Sequence, residues 1–141
     1  MVRDNALSAA FARLQSRGHR LTRPRRLIVE ALFGQCRAVT AAELHGLLAD
    51  SGVNLATVYR TLETLTEIGL ADTVARPGAE RQYVACSLDH HHHLICTRCG
   101  RVERLDECVV GPLQALVEAQ TNFVIEEHIL EFRGRCATCK A

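Results

Sequence analysis

Two Cys-x-x-Cys pairs, Cys96-Thr97-Arg98-Cys99 and Cys136-Ala137-Thr138-Cys139, constrain this chain more than any other feature. A two-residue spacer lets both sulfurs of a pair reach one ion, and four thiolates in two such turns fit tetrahedral zinc. Gly100 eases the first turn. One ion held this way staples the C-terminal pair back onto the strand that carries Cys96, across residues 100–135, a longer separation than in a common zinc ribbon. The compartment supports ligation over oxidation. Asp4 and Asn5 stand where a signal peptide needs an apolar stretch, and no apolar run approaches the ~20 residues of a membrane span. The sequence therefore reads as cytoplasmic with no membrane partner, and clustered thiols in a reducing compartment are metal ligands before they are disulfides. Seven cysteines cannot all pair within one chain. Cys36 and Cys108 fit no ligand spacing and read as incidental thiols.

Charge divides the chain. Residues 1–85 hold eleven arginines against eight acids, and residues 86–141 hold six Lys/Arg against eight acids, so a net charge of +1 conceals a basic front and an acidic back. Six arginines and no acid lie between Arg13 and Arg26. The front reads as four helices. Asp4 caps a first with Leu7, Ala10, Phe11 and Leu14 inward and Gly18 as its stop. Thr22 caps a second with Pro24 in its first turn and Gly34 at its end. Thr40-Ala41-Ala42-Glu43 is a capping-box pattern opening a third with Leu44, Leu47 and Leu48 inward. Asn54 precedes a fourth with Val58, Leu62 and Leu65 inward and Gly69 as its stop. Two short strands, Ala71–Ala75 and Arg81–Ala85, flank a Pro-Gly turn. Helices followed by a hairpin are the order of a winged helix-turn-helix, whose last helix enters the major groove of double-stranded DNA. Its outward face carries Ala56, Thr57 and Arg60, with Tyr59 at the margin. The competing reading is a generic helical bundle, which the hairpin and the basic run disfavour.

The back, residues 86–141, reads as a small α/β domain: strands at His93–Cys96 and Arg101–Leu105, a helix over Leu113–Ala119 opened by Gly111-Pro112, and a long β-like run from Phe123 to Phe132. Aromatics are only 4% of the chain and Trp is absent. A unit this small cannot bury a sufficient core alone, so it is expected to dimerise. The whole is α+β: a winged-helix domain over residues 1–85 and a metal-binding dimerisation domain over residues 86–141.

The internal run His90-His91-His92-His93 adds ligands. On an extended segment alternate residues face opposite sides, so His91 and His93 share one face and His90 and His92 the other. Cys86 at the end of the hairpin and Asp72 on its opposing strand can join His91 and His93 in a tetrahedral zinc set. A histidine run by itself reads equally well as a solvated loop; Cys86 and the basic domain beside it favour ligands. His128, read as part of the last strand, can join His90 and His92.

The succession "NLATVYRTLETLTEIGL", "CSLDHHHHLICTRCG" and a terminal "CATC" closely resembles the ferric uptake regulator family of bacterial metalloregulators, over roughly Leu14 to Cys139. The resemblance implies an N-terminal DNA-binding domain, a C-terminal dimerisation domain and repression of metal-uptake genes by the metal-loaded homodimer on an inverted-repeat operator. It implies structural zinc on Cys96, Cys99, Cys136 and Cys139. It makes Tyr59 and Arg60, next to Thr57, recognition-helix contacts, Arg20 a minor-groove contact and Arg25 a phosphate contact. Iron, manganese and peroxide sensors of the family place a His before the third helix, where this chain has Ala38, and the iron branch a Glu where it has about Val84. Asp72, Cys86, His91 and His93 resemble the zinc uptake regulator branch, which implies a zinc-responsive repressor with Zn2+ as both structural and regulatory ion. The alternative is an iron- or manganese-responsive regulator of the same family. A third site in many members joins two His of this run and a later His to a Glu. His90, His92 and His128 match, but Gly111 stands at the Glu position, leaving the set incomplete or completed by water or an acid such as Glu107.

Rival classes have distinguishing patterns. Zinc deaminases combine His-x-Glu with Pro-Cys-x-x-Cys; here Ile95 and Arg135 precede the cysteine pairs and no His-x-Glu occurs. Four thiolates leave no open position for water. With no phosphate loop or nucleophile elbow either, the chain reads as a non-enzyme with no small-molecule substrate beyond a metal ion. A constitutive DNA-binding protein with purely structural metals differs in keeping its operator when labile metal is removed.

Overall fold

The computed structural model describes residues 2–74, 78–86 and 90–140. The chain forms two compact units, residues 1–88 and 89–141.

The first unit runs α1 (Val2–Ser16), α2 (Arg23–Phe33), β1 (Val39–Thr40), α3 (Ala41–Leu47), a 3-10 turn (Ala49–Ser51), α4 (Leu55–Glu67), β2 (Ala71–Val74) and β3 (Gln82–Ala85). Three of the four expected caps act where the sequence places them; α1 instead begins before Asp4, which lies in its first turn. Thr22 accepts from the Arg25 N–H at 3.4 Å and Asn54 from the Thr57 N–H at 2.8 Å. Thr40 and Glu43 form a complete capping box, with bonds of 3.0 and 2.8 Å. Each supplies an acceptor to a helix N–H that has no partner within the helix. Gly69 ends α4 at φ +79°, a left-handed conformation that a Cβ would disfavour. Leu14, Ile28, Leu32, Leu44, Leu62 and Leu65 are wholly buried and form one core with Val58.

Leu47, expected inward, is 59% exposed; Ala41 and Leu44 are the buried residues of α3, with Leu48 at its C-cap. β1 was not legible in the sequence; it pairs antiparallel with β3 and extends the hairpin to a sheet of order β1-β3-β2. Ala75, the expected last residue of the first hairpin strand, and Arg76-Pro77 of the turn lie outside the described residues.

The second unit contains β4 (His92–Cys96), β5 (Val102–Leu105), α5 (Gly111–Thr121) and β6 (Glu131–Gly134). Its sheet has the order β5-β4-β6, with β5 antiparallel and β6 parallel to β4. The run from Phe123 to Phe132 is not one long strand: only Glu131 onward pairs, so His128 precedes the strand that was expected to contain it. The preceding residues are tied instead to α5, where Glu118 accepts the Ile125 N–H at 2.8 Å and Gln114 donates to the Ile125 carbonyl at 3.2 Å. Among the described residues of this unit, Ile95 and Cys96 are the only buried apolar side chains. Leu113, Leu116, Phe123, Val124 and Ile129 are all more than half exposed. No helix among the described residues is long and apolar enough to cross a membrane.

Candidate metal centres and nucleic-acid interface

The four-cysteine set is assembled by backbone turns at the ends of β4 and β6. After Cys96 the chain reverses, with the Gly100 N–H on the Cys96 carbonyl at 3.0 Å and Gly100 at φ +75°. After Cys136 it reverses again, and the Cys136 carbonyl accepts the N–H groups of Cys139 and Lys140, both at 2.9 Å. Parallel pairing of β4 with β6 places Cys96 opposite Gly134 and brings the two turns together. The four sulfurs lie within 4.8 Å of one another. Cys99 Sγ and Cys136 Sγ are 3.8 Å apart, which matches the edge of about 3.8 Å that Zn–S bonds of ~2.3 Å give a tetrahedron. Backbone N–H groups aimed at sulfur, first that of Cys136 at 3.4 Å, lower the Cys96 thiol to about 5. Cys136 is lowered too, chiefly by the Cys139 backbone. Cys139, sharing its proton with Cys136, is raised to about 12. The thiolate already favoured at Cys96 suits a cation site, and the proton retained at Cys139 is one that a bound cation would displace.

The histidine run divides as an extended segment should. His91 Nε2 and His93 Nε2 stand 3.1 Å apart, near the ~3.3 Å edge that Zn–N bonds of about 2.0–2.1 Å set for a tetrahedron. In the first unit Cys86 follows β3, its N–H on the Leu70 carbonyl at 2.9 Å, and its buried Sγ lies 3.2 Å from Asp72 Oδ2 on β2. Asp72 pairs in register with Val84, so the hairpin brings acid and thiol to the same end of the sheet. Each unit thus holds a pair of donors spaced as two ligands of one small cation.

His90, His92 and His128 also converge. Their ring centroids are 4.7–5.2 Å apart, with His90 edge-on to both others. Their ligand atoms lie within 4.8 Å of one another and of Cys108 Sγ, which is 3.4 Å from His128 Nε2. This corrects the reading of Cys108 as incidental. The fourth member of the group is a thiol and no carboxylate, so Glu107 does not complete it. His92 is 3% exposed, and burial, then the neighbouring His90 and His128, hold its ring below the usual histidine range, in the neutral form a metal needs. The Leu130 carbonyl bonds its ring while its buried Nε2 has no hydrogen-bond partner, so that bond occupies Nδ1 and leaves a lone pair on Nε2. Nothing in the spacing of the sequence selected Cys108. Cys36 is exposed and belongs to none of these groups.

On the first unit, Arg25, Thr57 and Arg60 line one concavity between α2 and α4, and Arg20 lines another beside Arg26 and Gln15. Arg25 donates to the Arg20 carbonyl at 2.5 Å, so it holds the turn that presents Arg20. The Thr57 hydroxyl donates to Asn54 Oδ1 at 2.9 Å and is part of the cap of α4. The Tyr59 hydroxyl donates to Glu80 Oε1 at 3.0 Å, and that bond raises its pKa. No motif spacing pointed to this partner, 21 residues away.

Comparison with known proteins places this architecture. The profile of the ferric uptake regulator family matches residues 16–133. The ferric uptake regulation protein of Bacillus subtilis (strain 168) is 31% identical over 145 residues, covering 96% of this chain and 95% of the relative. The crystal structure of the Vibrio cholerae ferric uptake regulator is similar at TM-score 0.67 and 32% identity, over 87% of this chain and 96% of that one. A zinc uptake regulator complexed with zinc and DNA is similar at TM-score 0.69 and 28% identity, over 98% and 95%. With the fold, the thiol and imidazole clusters and the profile in agreement, the chain belongs to the ferric uptake regulator family and is a metal-responsive transcription regulator.

Proposed function

We propose that this regulator is a zinc-responsive repressor of zinc-uptake genes that binds an inverted-repeat operator as a homodimer. The observation that carries the reading is the buried Cys86 thiol 3.2 Å from the Asp72 carboxylate, in a chain whose second unit offers His91 and His93 at 3.1 Å. A thiolate with imidazoles favours zinc over iron(II) or manganese(II). Ala38, buried and without a donor, stands where the resemblance puts a His in iron, manganese and peroxide sensors. The Bacillus subtilis relative is named for iron and the two solved relatives above for iron and for zinc, and the ligand chemistry supports zinc. Cys96, Cys99, Cys136 and Cys139 would hold a structural zinc, and the exposed apolar side chains of α5 and residues 123–129 support a second copy as the partner of this unit.

The ligand set comprises one pair at the end of the hairpin, Asp72 and Cys86, and one pair in the histidine run, His91 and His93; residues 1–85 would serve as the DNA-binding domain and 86–141 as the dimerisation domain. Zinc would supply the bond between the two pairs. Gripping one ion, the four side chains hold both units in one arrangement, and in a dimer that sets the separation of the two α4 helices. Half-sites require a separation of about 34–36 Å or a multiple. Without that grip the matching arrangement is one of many, and apparent affinity falls by its fractional population. Arg20 would contact the minor groove and Arg25 a phosphate, and Thr57, Tyr59 and Arg60 lie on the helix that would read bases. The test is operator binding by Cys86→Ser and His91→Ala. Both should retain the four-cysteine zinc and the dimer and lose zinc-dependent binding; a normal zinc response in Cys86→Ser contradicts the assignment.

A further inference from the structure

We propose that Cys108 Sγ is the fourth ligand to a zinc ion held by His90, His92 and His128, taking the place of the carboxylate that Gly111 cannot supply. The inference deepens the metal-binding reading above but does not depend on which ion the divided set senses. Three independent features converge. The Cys108 sulfur stands 3.4 Å from His128 Nε2, where Zn–S and Zn–N bonds of ~2.3 and ~2.0–2.1 Å require a separation of about 3.6 Å. The three ring centroids lie 4.7–5.2 Å apart, with His90 edge-on to both others. His92 Nε2 is buried with no hydrogen-bond partner, and a buried polar atom of that kind is destabilising unless something satisfies it. A cation satisfies it. Leu130 on Nδ1 is the outer bond that metal-binding imidazoles characteristically make, orienting the ring and fixing its tautomer.

Three imidazoles and a thiolate make a closed tetrahedral set suited to zinc and poorly suited to the harder manganese(II). Carboxylate is absent from the group, so the site is chemically different from a histidine–carboxylate site. Its place in the fold gives it a consequence. Cys108 lies between β5 and α5, His128 between α5 and β6, and His92 on β4. Both connections to α5 are therefore clipped to the central strand of the sheet, and α5 itself buries no side chain that could hold it there. This ion positions the apolar surface that a second copy would cover.

The experiment uses the full-length Cys86→Ser protein with zinc in its four-cysteine site, titrated with cobalt(II) alone. Cobalt bound by Cys108 gives a sulfur-to-metal charge-transfer band together with the strong visible bands of a tetrahedral ion. Both should be lost when Cys108→Ser is added, and zinc competition should show affinity for this site reduced by at least ~10–100-fold, the loss that removal of outer-shell partners alone produces. His128→Ala, which leaves the thiol in place, should also remove the tetrahedral bands. No thiolate band in Cys86→Ser, or an undiminished band in either second variant, overturns the proposal and leaves Cys108 a simple hydrogen-bond partner of His128. Operator binding by the Cys86→Ser protein, read separately, tests the divided site and not this one.

Discussion

Cys96→Ser should unfold the second unit while leaving the first intact. The reason lies in how little else holds residues 89–141 together. Ile95 is the one buried branched aliphatic side chain among its described residues, worth about 1.5–3 kcal/mol. β6 is a four-residue strand that is exposed throughout. Its attachment to β4 comprises the parallel ladder, the Thr97 N–H and hydroxyl on the Gly134 carbonyl at 2.8 and 3.1 Å, and the sulfur tetrad. Structural zinc in small peptides contributes about 10–16 kcal/mol of binding free energy that is also folding free energy. A metal in the tetrad would therefore be the largest single stabilising contribution in the unit, and serine in place of a buried thiolate would forfeit most of it. Zinc analysis together with differential calorimetry gives the readout. The variant should hold one zinc fewer per chain, lose the transition of the second unit and its dimer, and keep the transition of the helical unit. A Cys96→Ser protein with full zinc and an unchanged calorimetric profile would refute the reasoning.

Other outcomes follow from the same geometry. Because Cys139 keeps its proton up to about 12 in the metal-free tetrad, zinc must displace at least that proton. Zinc affinity of the tetrad should then rise at least ~10-fold per pH unit between pH 6 and 8, measured by chelator competition; a flat profile contradicts it. The sign is fixed, since protons compete with the ion and acid weakens the site. Arg25→Ala removes a cation and the brace on Arg20, so it should weaken binding to all DNA sequences and lower the salt slope by about 1. Arg60→Ala or Tyr59→Ala should cost more on the operator than on random DNA; equal losses would mean that α4 is not the reader.

The first unit was legible because its signals are local. Thr22, Thr40 and Asn54 cap the helices they precede, and the glycine after α4 takes the left-handed conformation that stops it. The cysteine tetrad was legible because a two-residue spacer is itself a geometric statement. Less local features were not. β1 is two residues long and exists only through its pairing with β3. Residues 123–130 have the apolar alternation of a strand, but that pattern records an apolar surface left exposed in the single chain, and no β partner is present for it. Leu47 falls on the helical stripe of α3 yet outside the core, because the chain leaves the helix there for a 3-10 turn. Cys108 and the Glu80 partner of Tyr59 were missed for one reason: the contacts Cys108–His128 and Tyr59–Glu80 span 20 and 21 residues at no motif spacing.

The central claim, that zinc is the sensed metal, is tested most directly by operator binding of the wild-type dimer across buffered free concentrations of zinc, iron(II) and manganese(II). The thiolate in the divided ligand set predicts activation by zinc at far lower free concentration than by either other ion, with loss of binding on chelation. Activation by iron(II) at its physiological concentration, with no response to zinc, would contradict the account.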